Sequence, residues 1–188
     1  ALVGTGDRVI SVVPTYQQHY SIPASIGAQV TTLRLSEKDQ FLPDLDHLRK
    51  LATGETKLIA FTNPNNPTGA LIEQPMLEQI VEIADAADAY LLCDEVYRGT
   101  AQVGDGMVPS IADMYCRGIS TAGMSKVFSL AGLRLGWVAA PQDVTEKIMI
   151  HRDYDTISVG MLNDYFAAIA LENADNVLSR SQQITREN

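Results

Sequence analysis

Short apolar runs recur along the chain and predict strands, and the run at 29–35 is also rich in β-branched residues. We place these strands at 8–13, 29–35, 57–62, 90–94, 118–122 and 133–140. Between strands, apolar residues recur with helical spacing, as Leu77, Ile80, Val81 and Ala84 do at i, i+3, i+4 and i+7. Strands that alternate with helices are typical of an α/β fold with a mainly parallel sheet.

The same pattern predicts helices and turns between and after the strands. Helices are expected at 43–52, 75–87, 144–153, 161–172 and 176–187. Pro43 would lie near the start of the first, where Leu45, Leu48 and Leu51 would face the core. Residues 16–28 are predicted to be a helix or turn crossover with a break at Pro23. Residues 99–111 are predicted to be a loop that turns at Gly104-Asp105-Gly106.

The composition is typical of a globular protein and indicates no particular activity. The 188 residues are 46% hydrophobic and 20% charged, which suits one globular domain with a sizeable core. A net charge of −9, with acids spread along the chain, argues against a nucleic-acid or anionic-membrane surface. No apolar run approaches the roughly 18 residues of a membrane span, and no signal-peptide pattern opens the chain.

Cys93 and Cys116 form neither a CxxC pair nor a disulfide framework. We expect Cys93 to be a packing residue within a strand, and we expect no metal site. Free cysteines of this kind fit a reducing cytoplasm.

One stretch carries an unusual lysine. The predicted strand at 118–122 turns through Gly123, Met124 and Ser125 into Lys126, and Arg134 follows eight residues later. Lysine at the end of a buried strand is uncommon unless it is paired or takes part in chemistry. An amine and a fixed cation held close together would suit an anionic cofactor bonded to the amine. The alternative is a surface loop with two ordinary cations.

Two further polar segments follow predicted strands. Asn63-Pro64-Asn65-Asn66-Pro67-Thr68-Gly69 follows the strand at 57–62, and Asp94-Glu95-Val96-Tyr97 follows residues 89–93. Ligands of open α/β sheets bind outside the carboxyl ends of the strands. We therefore expect Asn66, Asp94, Tyr97 and Lys126 to converge on one rim.

Taken in order, NPNNPTG, DEVY and SK followed by GLRLGW resemble the large domain of a class I/II aminotransferase. This is the fold type I family of pyridoxal-phosphate (PLP) enzymes, and the resemblance covers nearly the whole chain. It implies a three-layer α/β/α fold in which residues 1–188 are the central part of the PLP-binding large domain. It also implies an N-terminal segment with a glycine-rich phosphate turn, and a C-terminal small domain, outside this chain.

The resemblance implies roles for four residues around the cofactor ring. Lys126 would be the Schiff-base amine, partly buried, and would later move the substrate proton. Asp94 would pair with the ring nitrogen and keep it protonated, while Glu95 would point to the other face. Asn66 and Tyr97 would donate to the phenolic oxygen.

It also implies that the aromatic Tyr16 stacks on the ring and that His19 fixes Asp94 from behind. A core aromatic and a structural histidine are the alternatives for these two residues. Arg134 and Ser125 would hold the phosphate. Many relatives have serine where this chain has Gly123, and we expect Thr121 or a backbone N–H to substitute for it.

The function implied by the resemblance is transfer of an amino group between an amino acid and a 2-oxo acid in a homodimer. One alternative is a PLP-dependent lyase, of the carbon–sulfur or aminocyclopropane-carboxylate-synthase-like kind. Another is an aminotransferase-like sensor domain of a transcription regulator. The fold alone does not choose among these, and the sequence does not name the amino acid.

Overall fold

A six-stranded sheet lies at the centre of the molecule. The computed structural model describes residues 1–101, 103–104 and 106–188. The strands are β1 (Arg8–Val13), β2 (Gln29–Arg34), β3 (Thr56–Thr62), β4 (Tyr90–Asp94), β5 (Gly118–Gly123) and β6 (Gly136–Ala139). Their order is β2-β1-β3-β4-β5-β6, and every pair of neighbours is parallel except β5 and β6. The predicted α/β fold with a mainly parallel sheet is confirmed.

Helices connect the strands and flank the sheet. They are α1 (Gln18–Ser25), α2 (Leu45–Leu51), α3 (Gln74–Ala86), α4 (Ile111–Met114), α5 (Gln142–Arg152), α6 (Met161–Glu172) and α7 (Ala174–Glu187). Helix α3 buries Leu77, Ile80 and Ala84 of the predicted apolar face, together with Ile83. Val81, the fourth predicted residue, is half-buried and packs against the core. Within the described residues, no helix is both long enough and apolar enough to cross a bilayer.

Two helices differ from the prediction near their prolines. Helix α2 begins at Leu45 rather than at Pro43, because the Asp44 side chain caps it by accepting from the His47 N–H at 3.0 Å. Helix α1 does not break at Pro23, which is buried inside it. Proline has no N–H to donate to the turn before it, but the last turn of the helix still closes, because the Ile26 N–H donates to the Ile22 carbonyl at 3.3 Å.

The segment before β6 is a turn, where a strand was predicted from residue 133. Residues 131–133 form a 3-10 turn, and Arg134 has a left-handed backbone with φ of 48°. The Leu133 carbonyl accepts from Asn163 Nδ2 at 2.9 Å, and the Ala131 carbonyl accepts from the Arg134 side chain at 2.8 Å, so both carbonyls bond within the turn or to α6. The strand therefore starts only at Gly136.

The predicted loop at 99–111 ends in the short helix α4, which the sequence reasoning missed. The Ser110 hydroxyl caps this helix by accepting from the Ala112 N–H at 3.3 Å. Gly104 and Gly106 have positive φ values of 70° and 67°, as a glycine turn requires. Asp105, the middle residue of the predicted turn, lies outside the described residues.

The larger of two apolar clusters lies between the sheet and α2, α3 and α4. It includes Ile10, Phe61, Leu77 and Cys93, with Leu48 of α2 buried and Leu45 and Leu51 packed against it. Burial raises the pKa of the Cys93 thiol well above its ordinary value, so this thiol stays protonated as a packing residue.

The second cluster supports the segment that follows β5. Met124, Val127 and Phe128 of that segment pack with Ala167 and Ala170 of α6, and side chains of α7 cover them. The residues on either side of Lys126 in the sequence are thus fixed by packing against α6 and α7, and these two helices set the position of the lysine.

Candidate active site at the carboxyl edge of the sheet

A cavity of ≈ 520 Å³ opens where the neighbouring strands β1, β3, β4 and β5 end. Its lining includes all seven residues that were predicted to contact a cofactor: Tyr16, Asn66, Asp94, Tyr97, Ser125, Lys126 and Arg134. Parallel strands direct their carboxyl ends to one edge, so residues that are distant in sequence meet there.

Hydrogen bonds hold the segments after β1 and β3 together. The hydroxyl groups of Thr15 and Thr62 are 2.9 Å apart and join the ends of the two strands. The Asn63 side chain accepts from the Ile72 N–H at 2.8 Å and donates to the Ile72 carbonyl at 2.9 Å. This reciprocal pair folds the segment back and places Asn66 at the cavity.

Asp94 ends β4 with its carboxylate held in one orientation. Its Oδ1 accepts from the Val96 N–H at 3.2 Å and from the Thr121 hydroxyl at 3.3 Å. Its Oδ2 lies 4.0 Å from Nε2 of His19, and the two side chains are only 14% and 10% exposed. A carboxylate this shielded from water interacts strongly with any positive group that enters the cavity.

The structure places His19 directly beside Asp94. Burial lowers the pKa of His19 below its ordinary value, and the negative charge of Asp94 offsets only part of that shift. The imidazole is therefore neutral near pH 7. Its Nδ1 is buried and has no hydrogen-bond partner among the described residues.

Lys126 lies at the mouth of the cavity and is exposed, so the expected partial burial is wrong for the described part of the chain. Its Nζ is 5.8 Å from the centroid of the Tyr97 ring, a distance at which an ammonium and an aromatic face attract each other. The Lys126 carbonyl accepts from the Ser129 N–H at 2.9 Å. The next carbonyl, that of Val127, accepts from the Ser181 hydroxyl of α7.

Ser125 and Arg134 form another part of the cavity wall, together with Gly123. A Cβ at Gly123 would lie 3.0 Å from the Leu135 carbonyl oxygen and 3.1 Å from Gly136 Cα. These are backbone atoms of the first residue of β6 and of the residue before it, so their close approach explains why glycine occupies this position. The Thr121 hydroxyl, one of the two groups expected to substitute for a serine here, donates to Asp94.

The sequence reasoning missed two supporting contacts. Thr121 pairs in register with Asp94 across β4 and β5, and an alignment of the two strand ends could have indicated this. Glu95 is buried and accepts from the Ser110 hydroxyl at 3.0 Å and the Ile111 N–H at 2.9 Å. Nothing in the local sequence pairs Glu95 with a residue 16 positions away.

The described residues include no group of three or more His, Cys, Asp or Glu side chains that could hold a metal ion. The family described as aminotransferase class I and II matches residues 1–186. The chain belongs to this family. Class I and II aminotransferases depend on pyridoxal 5′-phosphate.

Similar proteins include an aminotransferase and a synthase. An aspartate aminotransferase of Pyrococcus abyssi is 30% identical over 92% of this chain and 45% of its own length. The capreomycidine synthase of Streptomyces vinaceus is 30% identical over 97% of this chain and 46% of its own length. The chain thus spans about half the length of these curated relatives.

A solved structure of a PLP-dependent aminotransferase from Streptococcus suis superposes with a TM-score of 0.93 at 44% identity. The match covers 100% of this chain and 49% of that one. A second, N-succinyldiaminopimelate aminotransferase from Mycobacterium tuberculosis, gives 0.91 at 28% identity and covers 99% of this chain and 49% of that one.

The aminotransferase cavity has a donor set that suits the family's cofactor. Asp94 Oδ2 accepts no hydrogen bond among the described residues and can take one from a protonated ring nitrogen. Lys126 brings an amine for the aldehyde, and Arg134 brings a guanidinium for the phosphate. The residues present therefore fit pyridoxal 5′-phosphate.

Proposed function

We propose that the protein moves an amino group between an amino acid and a 2-oxo acid, with pyridoxal 5′-phosphate as its cofactor. The observation that carries this proposal is the meeting of Asn66, Asp94, Tyr97 and Lys126 at one cavity. Each matches a reactive part of the cofactor, which supplies an electron sink for a substrate carbanion.

In this proposal Lys126 is the Schiff-base lysine. Its exposed Nζ would hold the aldehyde of the cofactor, and the same amine would move the proton at the substrate carbon. Asp94 holds the ring nitrogen in its protonated form, since opposite charges stabilise each other. His19, which is neutral and shielded, packs behind Asp94 and limits its movement.

The remaining residues orient the cofactor. Asn66 and Tyr97 donate to its phenolic oxygen, and Tyr16, which is 50% exposed, offers its ring as a stacking face. Ser125 and Arg134 bind the phosphate, for which a guanidinium provides two parallel donors.

We propose that residues 1–188 are the central part of the PLP-binding large domain of a longer protein. An N-terminal segment and a C-terminal small domain would complete the site, in keeping with the half-length matches to relatives. The free Cys93 and Cys116 suit a cytoplasmic location.

We also propose a homodimer. Helix α6 exposes Met161, Leu162, Tyr165 and Phe166, each at least half accessible. A contiguous apolar face of this kind is rare on a monomer and indicates that something covers it. A second copy of the complete protein is the occupant that we propose.

Transamination is favoured over the two alternatives by the relatives' names. Those from Pyrococcus abyssi, Streptococcus suis and Mycobacterium tuberculosis are named aminotransferases, whereas the one from Streptomyces vinaceus is named a synthase. No feature of the described residues favours the lyase or the sensor.

The proposal is tested by borohydride reduction of the complete protein, followed by peptide mass mapping. We expect a visible absorption band from bound cofactor and a pyridoxyl group fixed on Lys126. Lys126→Arg should lose the label and lower kcat by about 10²–10⁴-fold, the usual contribution of a positioned acid–base group. A label on another residue, or full activity in the variant, would contradict the role given to Lys126.

Addition of amino acids then separates transamination from elimination. A transaminase should bleach the band towards the pyridoxamine form and release a 2-oxo acid without free ammonia. Release of ammonia together with the oxo acid would favour the lyase, and bound cofactor without turnover on any amino acid would favour the sensor.

A further inference from the structure

Thr121 contacts the most buried charged group of the cavity. Strands β4 and β5 are parallel neighbours, and their register places Asp94 opposite Thr121. The Thr121 hydroxyl donates to Asp94 Oδ1 at 3.3 Å, and the Val96 N–H donates to the same oxygen at 3.2 Å. One carboxylate oxygen therefore has two donors.

The other oxygen is in a different situation. Asp94 Oδ2 lies 4.0 Å from His19 Nε2, which is beyond hydrogen-bond distance. Two donors on Oδ1 fix the plane of the carboxylate, and they leave Oδ2 with its lone pairs free for a further donor.

We propose that Thr121 is a positioning residue that holds Asp94 Oδ1, so that Oδ2 is the oxygen that accepts from the protonated ring nitrogen of the cofactor. This inference rests on the proposed function. In this inference Thr121 supports binding of the ring nitrogen, through Asp94, and does not contact the phosphate.

Two observations separate this role from phosphate binding. Thr121 is absent from the residues that line the cavity, whereas Ser125 and Arg134 both line it. The Thr121 hydroxyl also carries a single proton, which it donates to a carboxylate. A phosphate beside that carboxylate would be repelled by its charge, so the same hydroxyl does not serve both groups.

The test compares two ligands of the complete, cofactor-free protein. One is pyridoxal 5′-phosphate, and the other is its 1-deaza analogue, in which a C–H replaces the ring nitrogen and the phosphate is kept. Their dissociation constants are measured for the wild type, Thr121→Val, Thr121→Ala and Thr121→Ser. The valine variant removes the hydroxyl with little change of shape, and the alanine variant places no methyl against Asp94.

We expect Thr121→Val and Thr121→Ala to weaken pyridoxal 5′-phosphate about tenfold, the scale of one hydrogen bond to a charged group. The dissociation constant of the analogue should rise less than about twofold in the same variants, since the analogue has no ring nitrogen for Asp94 to bind. Thr121→Ser keeps the hydroxyl and should bind both ligands as the wild type does.

Other outcomes overturn the inference. Equal weakening of both ligands would assign Thr121 to the phosphate or to general folding, and no weakening of either would leave it without a role. If the wild type itself does not bind pyridoxal 5′-phosphate, the proposed function fails, and the inference fails with it.

Discussion

Asp94 and His19 share a corner of the cavity that water hardly reaches. The imidazole is buried without a partner for Nδ1, and it faces the carboxylate at a distance of 4.0 Å. Burial opposes protonation of His19 and Asp94 favours it, and burial has the larger effect. A neutral histidine leaves Asp94 as the local charge, which is what a group that binds a protonated ring requires.

The titration of His19 can be followed by NMR of its imidazole protons in the cofactor-free protein. We expect a midpoint below about 6.5, the value of an unperturbed histidine. Asp94→Asn removes the charge that favours protonation, so it should lower the midpoint further. A wild-type midpoint above 6.5, or a rise in the variant, would contradict this account of the electrostatics.

The sign of the linked stability follows from the same shift. Because the folded pKa is lowered, the unfolded chain binds a proton at His19 that the folded chain does not bind. The contribution of His19 is therefore fully present above about pH 6.5. The free energy of unfolding should fall as the pH decreases from there through the folded pKa.

At the scale of elements, the segment between β5 and β6 depends on helices that come later in the chain. Ser181 of α7 bonds to the Val127 carbonyl, and Asn163 of α6 bonds to the Leu133 carbonyl. Both contacts hold the backbone between Lys126 and Arg134. The position of the two cations is therefore set by packing across the molecule.

Ser181→Ala should loosen this segment, with Ser179→Ala as the matched control on the same helix. Ser181 is buried and Ser179 is exposed. Loss of the buried hydrogen bond should lower the free energy of unfolding by about 1 kcal/mol and speed amide exchange in residues 124–135. The control should change neither measurement. Equal exchange in both variants would show that α7 does not restrain the segment.

The sequence predicted the elements whose pattern is local. Tyr90–Asp94 and Met161–Glu172 were predicted with the bounds that the structure has, because apolar runs and helical spacing mark them directly. Residues 133–135 were predicted as strand because they are apolar on either side of Arg134. Their turn depends on Asn163, which is 30 residues away, and no local pattern encodes that contact.

The candidate site likewise has features that local motifs predict and features that depend on long-range contacts. Motifs at strand ends were enough to predict that Asn66, Asp94, Tyr97 and Lys126 would meet, because parallel strands share an edge. The partner of Thr121 required the register of β4 against β5, which the sequence does not state. The exposure of Lys126 likewise depends on which parts of the protein surround it.

At the scale of the whole molecule, the exposed face of α6 bears on assembly. Leu162 is 65% exposed and Tyr165 is 62% exposed, on the outer side of a helix whose Ala167 and Ala170 are buried. Burial of such side chains in a partner contributes about 25 cal/mol for each Å² removed from water.

Leu162→Glu should shift the complete protein from dimer to monomer, as measured by sedimentation equilibrium, because it places an unpaired charge in an apolar interface. Ala86→Glu is the control, since it adds the same charge at an exposed position of α3. A mass that does not change in the first variant, or that falls equally in both, would contradict an interface at α6.

The strand order has a consequence for how the site comes into being during synthesis. After β1 and β2, every later strand joins the same edge of the sheet, in the order in which the ribosome releases it. Each newly added strand has one unpaired edge until the next strand joins it. Strand β6, which runs antiparallel to β5, is the last to be added. Among the residues that line the cavity, Tyr16 emerges from the ribosome before Arg134, so we expect a nascent chain to bind an anion at this cavity only after Arg134 has emerged. Until then, its most recent strand is open to pairing with a neighbouring chain.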